Sequence, residues 1–131
     1  CEYACRALVE LGSHYAGQQT VTAQEIAERR HIPEKYLVHI LLQLKRAGLV
    51  RSLRGAQGGY LLSRGPEDVR LLDIVEAIDG PILDPLPVGD SATPDLEAAW
   101  QEIARGIREI LAATTVHSLI EKAARDNMYY I

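Results

Sequence analysis

The sequence predicts a mainly α fold that carries one small β-hairpin. Three observations point to it. Apolar residues recur at steps of three and four along most of the chain. Two short helical stretches are separated only by His31-Ile32. A glycine-rich turn, Arg54-Gly55-Ala56-Gln57-Gly58-Gly59, lies between two short apolar runs. Helical spacing marks helices, a tight link marks a helix-turn-helix, and apolar runs around glycines mark a hairpin.

The first helix is expected over about residues 2–15, on the stripe Ala4, Ala7, Leu8 and Leu11, and it ends at Gly17. Because the chain begins at Cys1 and reads as helix almost at once, an N-terminal segment is expected to be missing. Thr22-Ala-Gln-Glu25 is a capping box that opens the second helix, which stops near Arg30. Pro33 suits the first position of the third helix. Tyr36, Leu37, Ile40, Leu41, Leu44 and Ala47 then form its apolar stripe, and Gly48 terminates it. Residues 49–53 and 60–63 are the hairpin strands. After the Gly65-Pro66 break comes a short helix within Val69–Ile78. Pro81, Pro85, Pro87, Gly89 and Pro94 make the next stretch a loop.

Thr93 caps a long helix that runs to about Ala113. Leu96, Trp100, Ile103, Ile107, Ile110 and Thr114 follow alternating steps of four and three. That is a heptad seam over roughly 28 Å, the signature of a helix that pairs with another. Arg105 and Glu109 are expected to pair on its outer side. A last helix covers Val116 to about Arg125. The organisation is therefore mainly α with a small β-wing. A winged helix-turn-helix domain spans residues 1–80, a loop spans 81–94, and a dimerisation helix with a C-terminal helix spans 95–131.

Composition and charge narrow the function. The chain has 131 residues, 47% apolar and 24% charged, a globular balance that argues against disorder. No run reaches the roughly 18–20 apolar residues of a membrane-spanning helix. Aromatics are scarce and Phe is absent, which disfavours stacking platforms for single strands. The net charge is −4, yet residues 20–65 carry eight basic and three acidic side chains, +5, leaving −9 elsewhere. A basic segment in an acidic chain is the footprint of a local polyanion site; the alternative is a solvated face. No paired carboxylates, nucleophile–base pair or metal-ligand spacing supports an enzyme. The glycine-rich turn opens no helix, so it is not a phosphate loop.

The run Ile26-Ala27, Ile32-Pro33-Glu34-Lys35-Tyr36-Leu37, Leu44 to Val50, Arg54-Gly55-Ala56-Gln57-Gly58-Gly59-Tyr60-Leu61-Leu62 and Leu72-Asp73-Ile74-Val75-Glu76-Ala77-Ile78-Asp79-Gly80 resembles the Rrf family of bacterial winged-helix regulators. The family includes an iron–sulfur cluster regulator, a nitric oxide sensor and a cysteine-metabolism regulator. The resemblance extends from Glu2 to Leu119 and implies a cytoplasmic homodimer that regulates transcription. It implies the third helix in a major groove, the wing in a minor groove, and the long helix as dimer interface. Expected partners are double-stranded DNA as a palindromic operator, a second copy of the chain, and an effector. That effector is either a small molecule lodged between loop and long helix or a protein.

Expected DNA contacts are Lys35, Tyr36 and His39 on the third helix, Lys45, Arg46 and Arg51 as phosphate contacts, and Arg54, Gln57, Gly58 and Gly59 in the wing. Each has a plainer alternative. Tyr36 lies on the apolar stripe and fits the core equally well. His39 fits an exposed residue without a role, and Lys45, Arg46 and Arg51 fit helix capping and solubility. Expected dimer contacts are Leu96, Trp100, Ile103, Ile107 and Ile110.

Two departures from the family stand out. Many members carry Glu-Gln after the Tyr-Leu of the third helix, where this chain has Val38-His39. Cluster-binding members carry three cysteines in the loop, whereas Pro81 to Pro94 contains none. Cys1 and Cys5, one helical turn apart, would hold their Cβ atoms about 5–6 Å apart, beyond the roughly 3.5–4.5 Å of a disulfide. No metal or cofactor is therefore expected. The alternative function is a winged-helix protein-interaction module that has lost DNA binding.

Overall fold

The computed structural model describes residues 1–55 and 58–129. Helices α1 (Glu2–Ser13), α2 (Ala23–Arg30) and α3 (Glu34–Arg46) come first, followed by strands β1 (Val50–Leu53) and β2 (Gly59–Leu62). A 3-10 turn (Pro66–Asp68), α4 (Leu71–Asp79), α5 (Pro94–Ala113) and α6 (Val116–Tyr129) complete the chain. The mainly α fold with its two-stranded wing is the expected one.

The helix starts are set by local chemistry. Thr22 Oγ1 accepts from the Glu25 backbone N–H at 3.1 Å. The reciprocal half of the expected box differs: the Glu25 carboxylate accepts from the Thr22 hydroxyl at 3.2 Å rather than from its backbone. Pro33 is the residue before α3, not its first turn, because its ψ of 126° is extended. Between α2 and α3, His31 takes the left-handed conformation with φ 55°, so the Ile32 N–H reaches back to Ala27 O at 3.0 Å. This reversal makes the helix-turn-helix.

Leu8, Leu11, Ile26, Leu37, Leu41, Leu44, Val50, Leu62 and Ile74 fill one core between α1–α4 and the wing. Each such side chain contributes about 1.5–3 kcal/mol when fully buried. Strands β1 and β2 pair antiparallel with Val50 opposite Leu62 and Leu53 opposite Gly59. Val21 adds an unexpected bridge on the other edge of β2. Its N–H donates to Tyr60 O at 2.9 Å and its O accepts from Tyr60 N–H at 2.8 Å, so the wing is tied to the residue before the cap of α2. A Cβ on Gly59 would stand 2.8 Å from the Val21 backbone, and Gly59 has φ +148°, so only glycine fits there.

Helix α6 returns to α1. Val116 is buried, and a Cβ on Gly12 would stand 2.9 Å from Ile120 Cδ1 and from Val116 Cγ1. The α5–α6 junction is stitched to the start of α4: Leu71 N–H donates to Thr114 O at 2.7 Å and Val116 N–H to Val69 O at 2.9 Å. On α5, Arg105 pairs with Glu102, one turn earlier, rather than making the expected bridge to Glu109.

One buried charge organises the front of the molecule. Glu10, in the last turn of α1, has a side chain only 8% exposed. Its Oε1 accepts from Arg30 Nε at 2.9 Å; its Oε2 lies 3.1 Å from an Arg29 guanidinium nitrogen and 2.8 Å from His14 Nε2. Arg6 donates to Arg30 O at 3.3 Å, which ties the end of α2 to α1 a second time. Burial by itself would raise the Glu10 pKa; the hydrogen bonds from His14, Arg30 and Arg29 outweigh it and hold the carboxyl below its ordinary 4.5. A depressed folded value means stability present above the unfolded value and lost as pH falls through the folded one. Glu10→Gln should therefore cost about 1.5–3 kcal/mol at pH 7, with the deficit shrinking below pH 4.5. Denaturant melts at stepped pH measure it, and a deficit unchanged down to the acid limit of folding would disprove the assignment.

Candidate nucleic-acid interface

The basic residues of segment 20–65 divide into two groups. Arg29 and Arg30 are held by Glu10. Arg64 donates to Asp73 Oδ2 at 3.2 Å. The same carboxylate accepts two bonds from the Arg70 guanidinium, at 3.2 and 2.8 Å, and one from the Arg70 backbone at 3.0 Å. The Arg70 side chain in particular holds the Asp73 carboxyl below its usual range. These three arginines belong to the fold.

The other five do not. Lys35, Lys45, Arg46, Arg51 and Arg54 are exposed, and among the described residues none has a carboxylate partner. Lys35 opens the exposed side of α3 and Lys45–Arg46 close it, while Arg51 lies on β1 and Arg54 at the end of that strand. Lys45 and Arg46 also sit in the last turn of α3, where cations complement the helix dipole.

Tyr36 resolves to the surface, 51% exposed, although it lies on the sequence stripe; the core side of α3 is Leu37, Leu41 and Leu44. Its ring stacks on Tyr3 of α1 with centroids 6.5 Å apart and planes at 18°. Lys35 Nζ stands 5.2 Å from the Tyr36 centroid and the Arg6 guanidinium 5.4 Å from that of Tyr3. Cation–ring contacts of this kind stiffen the start of α3. His39 is exposed on the same helix. Tyr3 and Arg6 were missed from sequence, since only folding brings α1 beside α3. Gly58 and Gly59 serve the wing itself: a Cβ on Gly58 would stand 2.5 Å from Leu53 O. Gln57 lies outside the described residues.

On α5, Leu96, Ile103, Ile107 and Ile110 are exposed, Ile110 at 70%, and Trp100 is half-buried. Ala104 is covered by the rest of the chain. The helix thus turns one side inward and presents the expected heptad seam outward.

A model of the Rrf2 family, described as an iron-dependent transcriptional regulator, matches residues 1–122. The chain belongs to the Rrf2 family. It is 42% identical over 114 residues to an rrf2-like HTH-type transcriptional regulator of Rhodobacter capsulatus, covering 85% of this chain and 75% of that one. It is 32% identical over 117 residues to the HTH-type regulator CymR of Bacillus subtilis, covering 89% and 83%. The solved structure of CymR, the global cysteine regulator of B. subtilis, superposes with a TM-score of 0.83 at 31% identity over 92% of each chain. That of T. potens IscR gives 0.78 at 32% identity, covering 93% and 83%. The fold is that of winged-helix regulators, and this Rrf2 member is a DNA-binding transcriptional regulator.

The iron in the family description meets an unsuitable donor set here. Loop 81–94 offers Asp84, Asp90, Ser91 and Thr93, hard oxygen groups poorly matched to a cluster held by thiolates. Among the described residues no three His, Cys, Asp or Glu side chains converge as a metal site. Cys1, the residue before α1, is exposed and Cys5, on α1, half-buried, both free; burial pushes the Cys5 thiol up, away from the thiolate a metal needs. These residues do not fit a cluster. Protein purified without air should be colourless in the visible range; a brown preparation with near-stoichiometric iron and sulfide would overturn this.

Proposed function

We propose that this Rrf2 protein works in the cytoplasm as a homodimer on a palindromic operator, with α3 in the major groove and the wing in the minor groove, and without an iron–sulfur cluster. It acts by binding, not by catalysis. The observation that carries the reading is the division of the basic residues. Three arginines are consumed by internal carboxylates, and the five that remain line α3 and the wing. Phosphate contacts fix register, and a helix between cationic ends can lie in a groove with phosphates on both sides. Arg54 at the end of β1 suits a narrow minor groove, whose potential favours arginine.

The homodimer rests on α5. An isolated chain that leaves Leu96, Ile103, Ile107 and Ile110 in water at heptad spacing exposes a contiguous apolar strip that a second copy of the same helix would cover. A two-fold dimer then presents two α3 helices, which accounts for a palindromic operator.

Fluorescence anisotropy on duplexes selected from a random pool tests DNA recognition. With roughly 6–10 phosphate contacts, affinity should fall about 10³–10⁵-fold between 50 and 200 mM salt. Arg46→Ala should reduce affinity and flatten the salt slope, with melting temperature lowered only slightly by the lost helix-terminal cation. Arg64→Ala should lower the melting temperature and leave the slope alone. Absence of salt-dependent binding to any duplex would hand the assignment to a protein-interaction module.

The dimer has its own test. Ile103→Asp with Ile107→Asp places charges in the apolar strip, at a cost of several kcal/mol to association. Sedimentation should report monomers with unchanged helicity, and a double variant that stays dimeric would remove α5 as the interface.

A further inference from the structure

We propose that Val38 and Leu42 are a thymine-reading element of α3, an apolar pair that packs on C5-methyl groups in the major groove. The inference rests on the reading of α3 as the groove helix and names what that helix recognises.

The buried side of α3 is set by Leu37, Leu41 and Leu44. At 3.6 residues per turn the outward side carries Lys35, His39, Leu42 and Arg46, with Val38 at its edge. Val38 is 51% exposed and Leu42 44%. They are four apart, so their side chains lie one above the other, with Cβ atoms about 5–6 Å apart. Single exposed apolar residues are ordinary. An adjacent pair, midway along α3 and running from the edge of its outward side, calls for a cover.

The surroundings identify that cover. Lys35 lies toward one end of the pair and Arg46 toward the other, both exposed and without a carboxylate partner among the described residues. An apolar centre between cationic ends complements a major groove, where phosphates rim a floor whose apolar group is the thymine methyl. Branched aliphatic side chains also discriminate against cytosine. They would cover its N4 amino donor without offering an acceptor, and an unpaired donor is costly. His39, beside the pair, remains available for a polar base edge.

The test removes methyl groups one at a time. On the best duplex selected by the intact chain, each dT is replaced singly by dU, which differs from dT only in lacking the C5 methyl. Anisotropy should show about three- to tenfold weaker binding at a symmetry-related pair of positions and little change elsewhere. Val38→Ala and Leu42→Ala, at exposed positions, should melt like the parent. Each should weaken the dT duplex by a similar factor and lose part or all of the preference for dT over dU. If no dU substitution weakens binding, or if both variants keep the full dU penalty, the proposal is overturned while DNA binding stands. If no duplex binds at all, both this proposal and the reading beneath it are overturned, so the two failures are distinguishable.

Discussion

The proposed recognition surface depends on one buried carboxylate, that of Glu10. Glu10 holds the guanidinium groups of Arg29 and Arg30, and Arg6 holds the Arg30 carbonyl, so the C-terminal end of α2 is pinned to α1 from both backbone and side chain. The angle between α2 and α3 follows from that pin and from the left-handed His31 beside it. Tyr3 on the same α1 then stacks on Tyr36 and steadies the first turn of α3. Helix α1 is therefore the platform on which α3 is set. A charge is a costly choice for such a pin, because its desolvation must be offset by good geometry. Here three partners meet two oxygens, and the partners themselves remain partly in water.

The same pin alters what the charge of the segment means. A +5 segment looks like one basic patch in sequence. In three dimensions part of that charge is neutralised internally, by Glu10 and Asp73, and only the remainder faces outward. Net charge over a window finds the region of a polyanion site but cannot sort its members. Sorting needs the distant carboxylate: Glu10 lies 19 and 20 residues from its two arginines.

Local signals were legible for physical reasons. The Thr22 cap, the Pro94 start, the apolar period of α3 and α5 and the Gly-Gly of the wing are each decided within a few residues, so they can be read along the chain. Gly59 could be called a wing residue, but its reason lies in Val21, the backbone rung that leaves no room for a Cβ. Gly12 gave no signal, since its cause is the approach of Val116 and Ile120 from the far end of the chain. Tyr36 was ambiguous because a stripe of period 3.6 assigns a side to a residue only when the helix's neighbours are known. With Leu37, Leu41 and Leu44 inward, Tyr36 falls at the edge, against Tyr3.

Two apolar strips face outward, on α5 and on α3, and their settings separate their roles. Leu96, Ile103, Ile107 and Ile110 run along a helix whose charged residues include Asp95, Glu97, Glu102, Arg105, Arg108 and Glu109, a mixture with acidic excess. A polyanion is repelled there, while a second copy of the helix is accommodated. Val38 and Leu42 lie between cations, where a like-charged copy would be repelled and a polyanion attracted. Outside residues 20–65 the chain carries −9 against their +5, and Glu10 and Asp73 commit part of that acidic remainder to Arg29, Arg30 and Arg64. With α3 and the wing as the proposed DNA face, long-range repulsion of the unpaired acidic residues favours approach from the side that carries the five unpaired cations. On the proposed reading, the acidic excess of the bulk composition acts as a steering field that orients each encounter before any base is read.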